Sequence, residues 1–317
     1  MNKIAEKTLK SKKILICMHV DPDGDTIGSA CGLASALKKL KKDVELYSSS
    51  KIPDIYKFLN YAEKVKHKIE KTKKYDALVA LDCADSKRIP DFEQLKKQCK
   101  IIINVDHHID NSLFGDINFV KNISSTGEIV YELIKMLKVE INKDIATALF
   151  SAIITDTGNF RYSNTSAKVF KIASDLVEKG ANPHFISTNI YESKTMAEIN
   201  ILATALNKIK IVFNGKVAYS ALTKKEIDKA KAIEENMSSI ADFVRTLKGV
   251  EIAAFLRETN DGKIKINLRS KNRNVRIIAK ELGGGGHTKS AGVIINCSLN
   301  KAINTLLKTI KNKWKQL

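Results

Sequence analysis

The stretch of sequence that decides the fold is residues 12–30, KKILICMHVDPDGDTIGSA. Its apolar start, KKILICM, predicts a buried strand, and a helix-type pattern of apolar residues begins where the stretch ends. Between the two lie His19 and three carboxylates, Asp21, Asp23 and Asp25. Like charges so close together repel each other, so folding alone gives no reason to collect them.

The alternation of strand and helix continues through the first half of the chain. YDALVALD at 75–82 and CKIIINVD at 99–106 predict two more buried strands, with a helical segment between them. Strands that alternate with helices predict an α/β fold with a mostly parallel, doubly wound sheet. From Ser124-Ser-Thr, which can cap a helix together with Glu128, the pattern is largely helical.

The pattern changes in the last third of the chain. YESKTMAEINILATALNKIK predicts a single long helix, which places a helical linker at residues 189–209. Beyond it, KVAYSAL, GVEIAAFLRE, GKIKINLRS and GVIINCS predict strands, with helices between them and a last helix at 299–316. We therefore predict two domains, residues 1–188 and a smaller α+β domain at residues 210–317.

Bulk composition limits the class of protein. The chain has 317 residues, 44% of them hydrophobic, which is enough for a hydrophobic core and suggests two domains. The formal net charge of +19 favours a phosphate-bearing partner such as nucleic acid, but the lysines are spread along the chain, so this support is weak.

The cysteines and the apolar runs indicate a compartment. Five cysteines without CxxC spacing predict a reduced protein, and MNKIAEKTLKSKK lacks the apolar core of a signal peptide. No apolar run approaches the ~18–20 residues that span a bilayer. We expect a cytoplasmic protein without a membrane partner, and a homodimer is compatible with the sequence.

Three predicted strands run directly into residues that can bind a metal ion. The carboxyl ends of parallel strands meet at one edge of an open sheet, and ligands bind there. We therefore expect these residues to meet, together with one more carboxylate that follows the helical run IATALFSAII. The residues are His19, Asp23, Asp25, Asp82, Asp106, His107, His108 and Asp156.

A cluster of carboxylates is costly without a cation, because each negative charge raises the cost of ionising the next. Two divalent cations about 3.5–4 Å apart, bridged by a carboxylate and a hydroxide, would remove this conflict and form a hydrolytic centre for phosphate esters. Imidazole and oxygen ligands without a thiolate favour Mn²⁺ over Mg²⁺, and leave Zn²⁺ and Co²⁺ open. Each motif also has a purely structural interpretation, such as Asp25 capping the next helix, but all of them together favour a site.

Together these motifs resemble the DHH phosphoesterase superfamily, which is named after the triplet at 106–108. The second half adds Arg269-Ser-Lys271, Gly283-Gly-Gly-Gly-His287 and Ser290-Ala-Gly292, which resemble the DHH-associated substrate domain of that superfamily. The resemblance covers nearly the whole chain. HVDPDGDTIGS, DTGNFRYSNTS and GGGGH are most similar to the NrnA-like group of bifunctional oligoribonucleases (nanoRNases) and pAp phosphatases.

The resemblance implies a role for each residue of the cluster. Asp82 would bridge the two ions, and His108 would face the scissile phosphate and neutralise or protonate it. Asp106 fits a supporting role that fixes the orientation of a ligand, although capping of the backbone explains it equally well. The implied ligands are His19, Asp23 and Asp82 for one ion, and Asp25, Asp82, His107 and Asp156 for the other.

The glycine run suggests phosphate binding on separate physical grounds. Consecutive glycines cost backbone entropy, but they let amides turn toward an anion; a flexible surface loop is the alternative. Arg269 is the best candidate for a terminal phosphate, because its planar fork can hold two oxygens. The residues expected to bind substrate are Arg161, Arg269, Gly284, Gly285, Gly286 and His287.

We therefore expect a Mn²⁺-dependent phosphodiesterase and phosphatase. It would hydrolyse short oligoribonucleotides of about two to five nucleotides to 5′-mononucleotides, and it would remove the 3′-phosphate of pAp. A phosphodiesterase for cyclic or linear dinucleotides, of the c-di-AMP or pApA type, is the nearest alternative. A non-catalytic RNA-binding module is the alternative from a different class.

Overall fold

The computed structural model of the protein describes residues 1–237 and 239–317, apart from the side chain of Glu235. The described residues divide into two units, Met1–Ser193 and Lys194–Leu317. Within these ranges no helix is both long enough and apolar enough to cross a membrane.

The first unit is built on a sheet of five parallel strands. The strands are β1 (Lys13–Cys17), β2 (Asp43–Tyr47), β3 (Ala77–Leu81), β4 (Ile102–Asp106) and β5 (Ile117–Val120). Their order across the sheet is β2-β1-β3-β4-β5, so the strand order reverses between β1 and β3. In open parallel sheets ligands bind beyond the carboxyl ends of the strands at such a reversal.

Helices cover both faces of this sheet. They are α1 (Asn2–Lys10), α2 (Gly24–Lys39), α3 (Phe92–Gln98), α4 (Thr126–Met136), α5 (Lys143–Asp156), α6 (Ala167–Glu178) and α7 (Pro183–Tyr191). Alternate residues of a strand point to opposite faces. Ile14 and Ile16 of β1 pack in one core with α2, α4 and α5, whereas Leu15 and Cys17 pack with Leu95 of α3. The predicted doubly wound α/β sheet is therefore confirmed.

Close packing of α2 against α5 sets the position of the end of α5. A Cβ atom at Gly28 would lie 2.4 Å from the carbonyl oxygen of Ala148, and one at Gly24 would lie 2.5 Å from the side chain of Thr155. Glycine at these positions lets the two helices approach more closely than any other residue allows. The contact brings Asp156, the last residue of α5, to the first turn of α2.

The second unit is built on a separate mixed sheet. Its strands are β6 (Lys210–Val212), β7 (Val217–Leu222), β8 (Ile252–Glu258), β9 (Ile264–Ser270), β10 (Gly285–Gly286) and β11 (Ser290–Ile295). Their order is β10-β11-β9-β8-β7-β6, with β7 and β8 parallel and the other neighbours antiparallel. The helices are α8 (Met196–Leu206), α9 (Lys224–Lys229), α10 (Ile240–Arg245), α11 (Val275–Glu281) and α12 (Leu299–Lys313). This arrangement confirms the predicted α+β architecture.

Strand β9 separates an apolar face from a polar one. Ile264, Ile266 and Leu268 are buried against α11 and α12. The alternate residues, among them Asn267 and Arg269, are half-buried and point to the opposite face, where α10 lies. This second face therefore presents polar side chains beside a short helix.

The single helix predicted through YESKTMAEINILATALNKIK is wrong. Helix α7 ends at Tyr191, and Thr195 begins α8 with a capping box, in which its hydroxyl accepts from the amide of Glu198 and its amide donates to that carboxylate. A capping box starts a new helix because it satisfies amides that a continuous helix would bond internally. Ile201 and Ala205 of α8 then pack in the core of the second unit.

Candidate metal centre

Histidine and aspartate side chains meet beyond the carboxyl ends of β1, β3 and β4. Among the described residues, three groups each bring one donor atom per residue to within 4.8 Å of the others. Asp82 and His107 each belong to two of these groups, so the groups form one continuous cluster. The groups are His19, Asp23 and Asp82; Asp25, His107 and Asp156; and Asp82, His107 and His108.

Asp82 lies at the middle of the cluster. Its Oδ2 is 3.6 Å from Nε2 of His19, and its Oδ1 is 3.4 Å from Nε2 of His107. The side chain is buried, and the backbone at Asp82 has a φ of 59°, in the left-handed region. A non-glycine residue in this region costs about 1–3 kcal/mol, and such strain concentrates at functional sites.

Two histidines are held with the same ring nitrogen toward the carboxylates. Nδ1 of His107 lies 3.3 Å from the carbonyl oxygen of Ile123, to which it can donate, and this leaves the lone pair of Nε2 for a cation. Nδ1 of His19 lies between two groups, the carbonyl oxygen of Val20 at 2.8 Å and Nη2 of Arg88 at 2.9 Å, which together orient the ring. Both Nε2 atoms face Asp82.

Asp25 is held by the start of α4. Its two carboxylate oxygens accept from the amides of Thr126 at 2.7 Å and Gly127 at 2.8 Å, and the hydroxyl of Ser29 donates to it at 3.2 Å. The hydroxyl of Thr126 also donates to Oδ1 of Asp82 at 3.1 Å. The first turn of α4 therefore positions two carboxylates of the cluster at once.

The alternative that Asp25 caps α2 is wrong, because Asp23 caps that helix. The carboxylate of Asp23 accepts from the amides of Asp25 at 3.1 Å and Thr26 at 3.2 Å. Its side chain is 62% exposed, and its Oδ1 is 3.9 Å from Nε2 of His19. One carboxylate thus caps the helix and faces the cluster.

Asp106 lies beneath the histidine pair and supports both residues. Its Oδ1 accepts from the backbone amide of His107 at 2.8 Å and from Nδ1 of His108 at 2.7 Å. Its Oδ2 accepts from the side-chain amide of Asn111 at 2.6 Å. Asp106 therefore bonds both to the ring of His108 and to the backbone of His107.

The carboxylates of the cluster repel one another in the protein alone. Burial, reinforced by the charges of Asp82 and Asp156, raises the pKa of Asp25 well above its usual range. Burial also raises the pKa of Asp156 to about 7. Burial opposes ionisation of Asp82 as well, but contacts with His107 and His19 hold its pKa well below the usual range. Divalent cations relieve such repulsion, because they stabilise the ionised carboxylates.

The donor set fits divalent cations. Ligand atoms about 2.0–2.2 Å from one cation lie roughly 3–4 Å from each other. The distances from Nε2 of His19 to Asp23 and Asp82, 3.9 and 3.6 Å, and from Nε2 of His107 to Asp82, 3.4 Å, fall in that range. The donors are imidazole nitrogens and carboxylate oxygens. Cys83, the residue after Asp82, points its thiol to the carbonyl oxygen of Leu81 at 3.3 Å. The cluster can therefore bind metal through nitrogen and oxygen.

Sequence patterns missed three side chains at this site. Nη2 of Arg88 lies 2.9 Å from Nδ1 of His19, and Thr126 and Asn111 hold Asp82 and Asp106. Thr126 and Arg88 carry no motif, since a threonine at a helix start and an arginine after Asp-Ser-Lys occur on many protein surfaces. The DHH triplet followed by an asparagine three residues later was the available signal for Asn111.

Arg161, predicted to contact substrate, follows an unusual turn after Asp156. Gly158, Asn159 and Phe160 have φ values of 56°, 61° and 60°, so three consecutive residues lie in the left-handed region. The side chain of Arg161 is exposed, and its Nε donates to the carbonyl oxygen of Gly158 at 2.8 Å.

The remaining predicted residues lie together in the second unit. Arg269 of β9 is the cross-strand partner of Ser290 of β11, and the amide of His287 donates to the carbonyl oxygen of Ser290 at 2.6 Å. The arginine and the glycine-rich segment are therefore brought to one end of this sheet. The single charge-pairing partner of Arg269 in the described part of the chain is Asp242, 3.1 Å from its Nε.

Packing explains part of the glycine run. A Cβ atom at Gly284 would lie 2.2 Å from the carbonyl oxygen of Gly292, and one at Gly286 would lie 2.6 Å from Ser290, with a φ of 132° at that position. Both glycines are required for the pairing of β10 with β11. Gly285 has open space on the side where a Cβ atom would stand.

The comparisons with known proteins agree with this geometry. Residues 13–153 match the DHH family, N-terminal domain, and residues 214–316 match the DHHA1 domain. A bifunctional oligoribonuclease and PAP phosphatase NrnA from Thermus thermophilus is 31% identical over 95% of this chain and 90% of that protein. A protein of the same name from Mycoplasma genitalium is 30% identical over 89% of this chain and 88% of its own.

A solved structure has the same fold over nearly the full length. The crystal structure of an exopolyphosphatase-related protein from Bacteroides fragilis is 26% identical, with a TM-score of 0.93 over 98% of this chain and 95% of that one. The family matches cover both units, and the resemblance inferred from the motifs is confirmed. This chain belongs to the DHH phosphoesterase superfamily and combines a DHH domain with a DHHA1 domain.

Proposed function

We propose that the protein is a metal-dependent phosphoesterase that hydrolyses very short oligoribonucleotides to 5′-mononucleotides and removes the 3′-phosphate of pAp. The observation that carries this proposal is the position of Asp82, whose two oxygens face Nε2 of His19 and Nε2 of His107. Relatives that carry the names of both activities match nearly the whole chain.

Each side of the cluster would hold one divalent cation, and Asp82 would contribute to both. Bound divalent cations supply Lewis-acid activation of the phosphate ester and of the attacking water. The protein holds the donors beforehand: contacts at Nδ1 orient the two imidazoles, and the start of α4 holds Asp25. The proposed ligands are His19, Asp23 and Asp82 on one side, and Asp25, Asp82, His107 and Asp156 on the other.

His108 has the properties of a proton donor. Its Nδ1 donates to Asp106, so its Nε2 carries the second proton when the ring is charged. Although burial favours the neutral ring, the hydrogen bond to Asp106 raises the pKa of His108 above its ordinary value. We assign the charged ring to the scissile phosphate, where it neutralises charge and delivers its proton to the leaving ribose oxygen.

We propose Mn²⁺ as the metal. The cluster offers two imidazoles and four carboxylates as first ligands, and Mg²⁺ accepts imidazole less readily than Mn²⁺ does. Elemental analysis of protein purified without added metal checks this choice. Mg²⁺, Zn²⁺ or Co²⁺ at full occupancy would replace Mn²⁺ in the proposal and leave the ligand set unchanged.

The two units would divide the work. The unit Met1–Ser193 would carry out the chemistry, and the unit Lys194–Leu317 would hold the substrate through Arg269, the segment Gly284–Gly286 and His287. Arg161 is a further proposed substrate contact. We also propose that the protein acts in the cytoplasm, where short RNA fragments and pAp would be available to it.

One panel of substrates tests the proposed function. Turnover with Mn²⁺ is measured for pAp, RNA of two to twenty nucleotides, a cyclic dinucleotide and pyrophosphate, with Asp82→Asn as the inactive control. We expect turnover of pAp and of the shortest RNAs, with rates that fall as the RNA lengthens. Preferred turnover of the cyclic dinucleotide would reassign the protein to signalling dinucleotides, and binding of RNA without any turnover would make it an RNA-binding module.

A further inference from the structure

A buried side-chain amide lies in the middle of strand β4. Asn104 is the third residue of this strand, two positions before Asp106, and it is 0% exposed. Alternate residues of a strand point to the same face, so the side chains of Asn104 and Asp106 lie on one face of the sheet. The residues on either side of Asn104, Ile103 and Val105, are apolar core residues. An amide at this position costs desolvation, so its role has to be sought in its contacts.

The side chain of Asn104 donates to that of Asn111, whose amide group is fully hydrogen-bonded. Nδ2 of Asn104 lies 2.9 Å from Oδ1 of Asn111, which also accepts from the backbone amide of Leu113 at 2.8 Å. Nδ2 of Asn111 donates to the carbonyl oxygen of Cys83 at 3.0 Å and to Oδ2 of Asp106 at 2.6 Å. A side-chain amide has two donor and two acceptor positions, and Asn111 uses all four. It is therefore held firmly, with one N–H group on Asp106.

These partners fix the direction in which both amides face. The carbonyl of Cys83 can only accept and the backbone amide of Leu113 can only donate, so the oxygen and nitrogen of Asn111 cannot be exchanged. Asn104 must then present its Nδ2, and its Oδ1 has no hydrogen-bond partner among the residues that the structure describes. An unpaired buried oxygen destabilises the folded state. The contact from Asn104 to Asn111 is thus kept although it lowers stability.

This chain of contacts ends at His108, the proposed proton donor. Oδ1 of Asp106 accepts from Nδ1 of His108 at 2.7 Å, while Oδ2 is held by Asn111. A carboxylate that is bound at both oxygens cannot turn freely, so it fixes the orientation of the imidazole. Orientation matters for proton transfer, because a displacement of about 1 Å can lower a rate by about 100-fold. The interior of β4 is therefore connected to the proton donor through side chains alone.

From these contacts we infer that Asn104 and Asn111 are positioning residues for the proton donor, and that they act through Asp106 on His108. The inference rests on the proposed function, which assigns proton transfer to His108. In that reaction a hydroxide ion attacks the phosphorus of the 3′-phosphate of pAp, and the bond from phosphorus to the 3′ oxygen breaks. The electron pair of this bond goes to the 3′ oxygen, which takes the proton of the charged His108 ring, and the ring regains a proton from water.

The test compares two substrates that differ only in the leaving atom. pAp releases a ribose oxygen, which needs a proton, whereas its 3′-thio analogue, with sulfur between the ribose and the phosphorus, releases a thiolate. A thiolate leaves without a proton more readily, because a thiol is far more acidic than an alcohol. For Asn104→Leu we expect kcat for pAp to fall about tenfold and kcat for the analogue to change less than about twofold. KM and bound Mn²⁺ should stay unchanged, and equal losses on both substrates would overturn the inference.

The melting temperature gives a second readout for Asn104→Leu. Leucine has as many side-chain heavy atoms as asparagine, with the same branching, and it removes the unpaired buried oxygen. Oδ1 of Asn111 keeps its bond from the amide of Leu113, so the replacement strands no partner. We expect a melting temperature at or above that of the wild type together with the lower kcat for pAp. A lower melting temperature with equal losses on both substrates would identify a purely structural role.

Gln98→Leu is the matched control. Gln98 is also a buried side-chain amide of the first unit, and its Oε1 has no partner within the described part of the chain. Its Nε2 donates to the carbonyl oxygens of Glu70 and Lys73, each at 2.7 Å. Its replacement strands both carbonyls, so the melting temperature should fall while kcat for pAp stays unchanged. A selective loss of pAp turnover in Gln98→Leu would show that the effect is not specific to the contacts with His108, and the inference would fall.

Asn111→Asp tests the contact nearer to His108 and separates the inference from the proposed function. The new carboxylate keeps an acceptor for Leu113 but turns a like charge toward Asp106 in place of a donor. We expect kcat for pAp to fall by at least about 100-fold, with a much smaller loss on the thio analogue. Wild-type kcat for pAp in both Asn111→Asp and Asn104→Leu would overturn the inference and leave the proposed function in place. Failure of the wild-type protein to turn over pAp would overturn the proposed function, and the inference with it.

Discussion

Nδ1 of His108 donates to Oδ1 of Asp106 across 2.7 Å, and both side chains are buried. The other oxygen of Asp106 is occupied by Asn111, so the carboxylate cannot rotate away from the ring without losing a second bond. This contact fixes the tautomer of His108 and keeps a proton on Nδ1. Within the DHH triplet, Asp106 is thus the charge partner of His108.

Replacing Asp106 by Asn should remove that charge while keeping the size of the side chain. We expect kcat for pAp to fall by at least about 100-fold, because general acid catalysis contributes about 10²–10⁴-fold. KM and metal content should change little. An Asp106→Asn protein with wild-type kcat would show that His108 is not the proton donor.

Asp82→Asn should weaken binding of both metal ions. One carboxylate oxygen is replaced by an amide nitrogen, so one metal site loses a donor atom, and both sites lose the negative charge of Asp82. We expect the affinity for Mn²⁺ to fall by more than about 100-fold. Titration calorimetry with Mn²⁺ measures both sites. Asp85→Asn is the control, since this carboxylate accepts from the amide of Lys87 at 2.8 Å and belongs to none of the three His–Asp groups. Two ions bound with wild-type affinity would refute the bridging role of Asp82.

The hydroxyl of Thr126 should matter for metal affinity although it is not a ligand. Thr126→Val removes the donor to Asp82 and keeps the backbone amide that donates to Asp25. Loss of a group that orients a ligand costs about 10–100-fold in affinity, so we expect a fall of about tenfold for Mn²⁺. Thr126→Ser should restore the affinity, and equal affinity in the Val and Ser variants would exclude an orienting role.

Gly28→Ala should separate α2 from α5. A Cβ atom there meets a backbone oxygen at 2.4 Å, which cannot move as a side chain can, and we expect a loss of about 1–3 kcal/mol in the free energy of unfolding. Gly32→Ala meets the flexible side chain of Leu149 at 2.9 Å and should cost less. Urea unfolding of both variants measures the difference, and equal losses would contradict the close-packing argument.

Glu45 should make the free energy of unfolding depend on pH in the acidic range. Burial alone would raise its pKa, but hydrogen bonds from Lys73, Tyr75 and Lys66 lower it to about 2. Because the pKa is lower in the folded state than the ~4.3 of the unfolded chain, ionised Glu45 stabilises the fold at pH values above ~4.3. This contribution is lost as the pH falls toward 2. Glu45→Gln should cost about 1 kcal/mol at pH 7, since Lys66 is partly exposed, and almost nothing near pH 2. A pH-independent difference between variant and wild type would contradict this assignment.

The sequence predicted the parts of the site that follow from strand order. His19, Asp82 and His107 each come just after a strong apolar run, and parallel strands bring such positions to one edge. Thr126 and Arg88 were not predictable, because their contacts depend on how α4 and a short turn pack in three dimensions. The contact of Asp242 with Arg269 was not predictable for the same reason, since the two residues are 27 positions apart in the chain.

The strands that the patterns did not predict, β5, β6 and β10, are short and lie at sheet edges. They have four, three and two residues. Edge strands are half-exposed, so they lack the apolar run or clean alternation that marks a central strand.

The brevity of these edges has a consequence for association. An open edge exposes unpaired amides and carbonyls, to which a strand of another molecule can add. An edge of two glycines offers almost no length for such pairing, and β5 and β6 offer little more. At the remaining edge, the end of β2 is bridged by the pairing of Tyr47 with Lys66, which covers part of its open side. These edges therefore leave little backbone to which a strand of another molecule could add.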